Sequence, residues 1–122
     1  MTRVLIADDA SFMRQMIRDI IEPEGFEVVG EASDGVEVIE KFKDLHPDMV
    51  MMDIVMPKRS GIDSVKRIVA MDPTARVVMC SALGQESLVM EAIEAGAKDF
   101  IVKPFKPETV VSTLKKALEK ES

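Results

Sequence analysis

The sequence predicts an α/β protein in which five parallel strands alternate with five helices. Three observations carry this. Five short apolar stretches recur along the chain, the segments between them have helical spacing, and Gly and Pro residues stand at many of the joins. The stretches are RVLIA at 3–7, EVVGE at 27–31, DMVMMD at 48–53, RVVMCS at 76–81 and DFIVK at 99–103.

The first, third and fourth stretches are nearly unbroken apolar runs, as expected of strands covered on both faces. EVVGE is weaker and reads as an edge strand. The helical segments follow in turn. Residues 12–22 place Phe12, Met16, Ile20 and Ile21 on one side, and 35–45 group Val38, Ile39, Phe42 and Leu45. In 61–71 the stripe is Ile62, Val65, Ile68 and Val69. In 84–95 it is Leu88, Val89, Ala92 and Ile93, and in 107–120 it is Val110, Val111, Leu114 and Leu118. Ser11 reads as the cap of the first helix. Gly25 and Gly96 suit left-handed positions just past helix ends. Pro47 and Pro73 stop helices, and Pro107 with Glu108 suits the first turn of the last one. Short loops and right-handed crossovers then give a flavodoxin-like (βα)5 fold, with strand order 2-1-3-4-5 and helices on both faces.

A length of 122 residues suits one domain, expected to span 1–122 without an output domain. An apolar content of 47% is too high for a disordered segment. The opening MTRVLIADD is too short an apolar run for a secretory signal or a membrane span, so a cytoplasmic protein without membrane insertion is expected. The single cysteine, Cys80, lies in an apolar run and reads as a buried, inert thiol. The net charge of -6, with no run of five Lys or Arg, speaks against direct binding of nucleic acid.

Ligands of open α/β sheets bind beyond the carboxyl ends of the strands. Asp8 and Asp9 end strand 1, Asp53 ends strand 3, Ser81 ends strand 4 and Lys103 ends strand 5. Any one of these has an ordinary explanation as a turn residue, cap or surface charge; the combination is far more specific. Three carboxylates brought together repel one another, and a hard divalent cation, Mg²⁺, offsets that repulsion with oxygen ligands. Soft-metal ligation fits poorly, because the only histidine, His46, precedes Pro47 in a loop. The set suggests Asp53 as a nucleophile toward phosphorus, Lys103 as a point charge on the phosphoryl oxygens and Ser81 as a hydrogen-bond donor. Neither a G-x-G-x-x-G turn nor a P-loop is present.

The motifs VLIADD, DIVMP, CSALG and KPF, at these separations, resemble the response-regulator receiver family from end to end. The FMR after Ala10-Ser11, the CSALGQ segment and the length are most similar to its single-domain chemotaxis regulators. The resemblance implies Asp53 as phosphoacceptor, Asp9 as a direct Mg²⁺ ligand, Asp8 acting largely through water, and the Val55 backbone carbonyl completing the protein's share of the metal shell. It implies Ser81 as the switch hydroxyl and a cis bond between Lys103 and Pro104. Phe100 stands at the aromatic switch position, where it lacks the phenolic hydroxyl a tyrosine would bring. Val55 and Leu83 stand where relatives tune dephosphorylation; both are apolar, so slow or moderate self-dephosphorylation is expected. The implied partner face carries Met90, Glu94, Lys98, Phe100 and Lys106. For Met90, core and surface placements remain equally open.

The implied protein is a monomeric signalling switch with weak intrinsic phosphotransfer chemistry. Its partners would be a CheA-like histidine kinase, a flagellar or archaellar motor adaptor or switch protein, and a phosphatase. The alternative is a phosphorelay intermediate that hands the group to a histidine phosphotransfer protein. A haloacid-dehalogenase-type hydrolase would need a second acid two residues after the nucleophile, where this chain has Val55. A pseudo-receiver would ordinarily lack one of Asp9, Asp53 or Lys103.

Overall fold

A computed structural model describes residues 1–119. Its strands are β1 (Thr2–Ala7), β2 (Phe26–Ala32), β3 (Met49–Asp53), β4 (Arg76–Ser81) and β5 (Asp99–Val102). Its helices are α1 (Ser11–Ile21), α2 (Gly35–Leu45), α3 (Gly61–Met71), α4 (Glu86–Glu94) and α5 (Pro107–Glu119). The expected extension of the last helix to residue 120 lies outside the described residues. All strands pair in parallel in the order β2-β1-β3-β4-β5, as predicted. EVVGE is indeed the core of an edge strand.

Strand alternation divides the core into two layers. On one face, Leu5, Val50, Met52, Val77 and Met79 pack with Val38, Phe42, Val65, Ile68, Val89 and Ala92 of α2, α3 and α4. On the other, Val4, Ile6, Met49, Met51, Val78 and Ile101 pack with Ile17 and Ile21 of α1 and with Val110, Leu114 and Ala117 of α5. Because β1, β3 and β4 are covered on both sides, their central residues are apolar, and the polar ones stand at the strand ends. Among the described residues, no helix is long and apolar enough to cross a membrane.

Several local expectations change. The buried stripe of α1 is Met13, Ile17 and Ile21, whereas Phe12 is 68% and Met16 42% exposed. Apolar residues occur on two adjoining faces of this helix, and docking on the sheet selects the face one residue further along. Ser11 is the first helical residue rather than the cap. The extended Ala10 holds the cap position, and its carbonyl accepts from the amides of Met13 and Arg14. Gly25, at φ 93°, closes a 3₁₀ turn at Glu22–Glu24 rather than α1 itself. α4 begins two residues later than expected, because Gly84 takes a left-handed conformation and the Gln85 side chain accepts from the Ala82 amide at 2.7 Å. Gly96 follows the end of α4 with φ 122°, as expected.

Candidate functional site

The carboxyl ends of four strands deliver the candidate residues to one place, and backbone bonds carry the pairing slightly beyond the strands. The Asp8 amide donates to Ala32 at 3.0 Å, the Ile54 amide to Cys80 at 3.1 Å and the Lys103 amide to Ser81 at 2.7 Å. The side chains that emerge there are therefore fixed by the sheet. Asp8, Asp53 and Ser81 are buried, Asp9 is exposed and Lys103 is partly buried. The Lys103–Pro104 bond is cis.

Lys103 Nζ donates to Asp53 Oδ2 at 2.8 Å and to Asp8 Oδ2 at 3.1 Å. The other oxygens have backbone donors: Ala10 N–H reaches Asp8 Oδ1 at 2.9 Å, and Val55 N–H reaches Asp53 Oδ1 at 3.2 Å. Burial pushes the Asp53 carboxyl above its ordinary range. Lys103 opposes this, the charge of Asp8 adds to it, and burial prevails. Burial alone would lower the Lys103 ammonium, but Asp53 and Asp8 outweigh it and hold its pKa above the ordinary value. Cys80, paired in register with Asp53, is pushed up to about 12 by burial and stays a thiol.

Ligand atoms of Asp8, Asp9 and Asp53 lie within 4.8 Å of one another. The donor set is all oxygen and one member faces solvent, which suits a hard cation that keeps some of its water. The three carboxylates and the single ammonium sum to a charge of -2, which a divalent cation neutralises. The residues present therefore fit Mg²⁺. His46 is far from this chemistry in the fold, as the left-handed C-cap of α2 with its carbonyl accepting from Arg3.

The residues expected on the partner face line more than one cleft. Phe100 is 41% and Met90 60% exposed, which places Met90 on the surface. Together with Ser81, Leu83, Val89 and Val102 they line a mainly apolar groove of about 240 Å³. Glu94 instead lines a different cleft with Ile62 and Lys66 on the α3 side, Lys98 is half-buried, and Lys106 is exposed just before α5. Sequence reasoning missed three residues that follow or brace the carboxyl end of the sheet. Arg14 donates to the Asp8 carbonyl. Asp34 caps α2 and pairs with Lys58 at 3.4 Å. A Cβ on Gly61 would lie 2.3 Å from the Asp53 carbonyl oxygen. Only Asp34, an Asp before a helical run, left a readable signal.

The family model for the response regulator receiver domain matches residues 4–115. The chain belongs to this family. The receiver is 59% identical over 114 residues to the chemotaxis protein CheY of Thermotoga maritima, covering 93% of this chain and 95% of that one. It is 54% identical over 116 residues to the chemotaxis protein CheY of Bacillus subtilis, covering 95% and 97%. Among solved structures it matches the CheY of a CheX-CheY-BeF3-Mg complex from Borrelia burgdorferi with a TM-score of 0.92 and 40% identity, covering 98% of this chain and 90% of that one. It also matches the response regulator domain of Thermotoga maritima CheB with a TM-score of 0.91 and 37% identity, covering 99% and 98%. The receiver is thus of the chemotaxis response-regulator kind.

Proposed function

We propose that this receiver is a phosphorylation-activated chemotaxis switch that acts in the cytoplasm. A histidine kinase supplies a phosphoryl group to Asp53, and the surface around Phe100 then binds a component of the motility apparatus. The observation that carries this reading is the buried Asp53 carboxylate, held by Lys103 at 2.8 Å and gathered with Asp8 and Asp9 at one end of the sheet.

Asp53 is the nucleophile. One of its oxygens bonds to phosphorus while the P–N bond to the donor imidazole breaks, its electron pair leaving with the nitrogen, and an acyl phosphate results. Lys103 is already within bonding distance of Asp53, so its positive charge meets the transferred oxygens without rearrangement. Ser81, at the end of β4, supplies a hydroxyl to the product. Asp8, Asp9, Asp53 and the Val55 carbonyl would hold Mg²⁺, which supplies charge neutralisation for the carboxylates and the phosphoryl oxygens. Attack by water on phosphorus releases phosphate and restores the Asp53 carboxylate. Val55 and Leu83 are exposed and apolar, offer that water no polar group, and keep the return slow or moderate.

The two CheY relatives, covered over 95% and 97% of their own lengths, support the chemotaxis use. The Borrelia burgdorferi complex supports the cation and a further protein partner, for which a phosphatase is our reading; BeF3 there has the shape of a phosphoryl group. The test is incubation with acetyl phosphate, with and without Mg²⁺, followed by intact-mass measurement. A gain of one phosphoryl mass that requires Mg²⁺ and is absent from Asp53→Asn is expected. No gain from acetyl phosphate and none from a phosphorylated chemotaxis kinase would overturn the reading.

A further inference from the structure

We propose that Arg14 is a positioning residue for divalent-cation binding: its guanidinium fixes the peptide plane between Asp8 and Asp9 and so aims the Asp9 carboxylate. The inference rests on the reading that Asp8, Asp9 and Asp53 take Mg²⁺.

Arg14 Nη1 donates to the Asp8 backbone carbonyl at 2.5 Å. That oxygen shares one rigid plane with the amide and Cα of Asp9. Any rotation of the plane therefore swings the Asp9 side chain. Asp8 does not need this help, because its carboxylate is anchored by Ala10 N–H and Lys103. Asp9 is exposed and takes its direction from the backbone.

The guanidinium is itself held firmly. Arg14 Nε donates to Glu31 Oε1 at 2.8 Å, and the Arg14 side chain is only 16% exposed. Glu31 sits on edge strand β2, where its second oxygen accepts from Arg18 at 2.9 Å and its backbone carbonyl accepts from Lys41. Arg14 thus uses two edges of one planar fork, one on a carboxylate and one on a carbonyl. Lysine has a single point of attachment and cannot do both. Residues that orient ligands from behind typically govern metal affinity by about 10–100-fold.

Arg18 provides the control. It lies on the same helix and pairs with the same Glu31, and its recorded bonds go to Glu31 and Glu22 rather than to Asp8. Mg²⁺ binding by the whole chain is measured calorimetrically for the wild type, Arg14→Met, Arg14→Lys and Arg18→Met, with melting in chelator alongside. Arg14→Met is expected to raise the Mg²⁺ Kd about 10-fold, with Arg14→Lys rising in the same direction and Arg18→Met staying within about twofold. The Mg²⁺ concentration for half-maximal phosphorylation rises in parallel, while the rate at saturating Mg²⁺ returns to that of the wild type. Should Arg14→Met not fold, Arg14→Lys decides by the same measurements. An unchanged Kd in the Arg14 variants, or an equal rise in Arg18→Met, overturns the proposal while leaving the cation site in place. A wild type that takes no Mg²⁺ overturns the cation reading and this inference with it.

Discussion

Asp53 and Lys103 both hold their protons more tightly in the folded chain, so both favour the metal-free fold at lower pH, each in its own range. The folded Asp53 carboxyl holds its proton more readily than the unfolded chain does. Its contribution to metal-free stability is therefore full below the ordinary carboxylate pKa and is lost as pH rises through the raised folded one. Lys103, raised, contributes stability that is present below the ordinary lysine pKa and is lost as pH climbs through the folded one. Because a protonated Asp53 is a poor ligand and a poor nucleophile, the rise in Tm produced by Mg²⁺ should shrink as the pH is lowered, beginning above the ordinary carboxylate range, as calorimetry would record. Lys103→Met should cut phosphorylation from acetyl phosphate by about 10²-fold, the scale of losing one preorganised donor, with the rate read by intact mass against time. Asp8, Asp53, Ser81 and Lys103 were legible because each directly follows apolar residues that anchor it. Arg14 was not, because a side chain that bonds a backbone carbonyl leaves no residue pattern at the accepting end.

The helix starts shape the neighbourhood of the carboxylates. Gly61 opens α3 with its amide donating to the Ile54 carbonyl at 2.7 Å, and its bare Cα lies against the end of β3. In Gly61→Ala a Cβ would meet the Asp53 carbonyl oxygen at 2.3 Å, so backbone must move. We expect a loss of about 1–3 kcal/mol in urea denaturation, together with slower phosphoryl acceptance. Gly35 is confined in the same way by the Arg59 backbone at the start of α2. Such close approaches are invisible in a linear sequence, where both glycines read only as breaks before helices. The reading of α1 failed for a related reason. Phe12 and Met13 are neighbours on the helix, and only the position of the sheet decides which of them is buried. The stripes of α2, α3 and α5 were legible because the sheet covers residues that the spacing had already grouped, such as Val38 and Phe42, Val65 and Ile68, and Val110 and Leu114.

At the scale of the molecule, alternating apolar runs and helical stripes were enough to give the topology, since few arrangements satisfy right-handed crossovers with short loops. The register was not legible. The pairing of β1 with β2 slips between Val4 and Leu5, leaving Val29 as an extra residue in the edge strand. The groove beside Phe100 and Ser81 joins the carboxylate end of the sheet to an exposed surface. Phosphorylation should shift the Met90 methyl resonance in an NMR spectrum, and Ser81→Ala should still gain the phosphoryl mass while losing most of that shift. The hydrogen bonds of Lys103 span 50 positions to Asp53 and 95 to Asp8. At roughly 5–20 residues per second, a ribosome needs roughly 2.5–10 s to add the stretch between Asp53 and Lys103. Throughout that interval the aspartate has been made but its ammonium has not. If Asp53 is the phosphoacceptor we propose, a nascent chain is deaf to phosphodonors, and hearing begins only when the last strand closes the sheet.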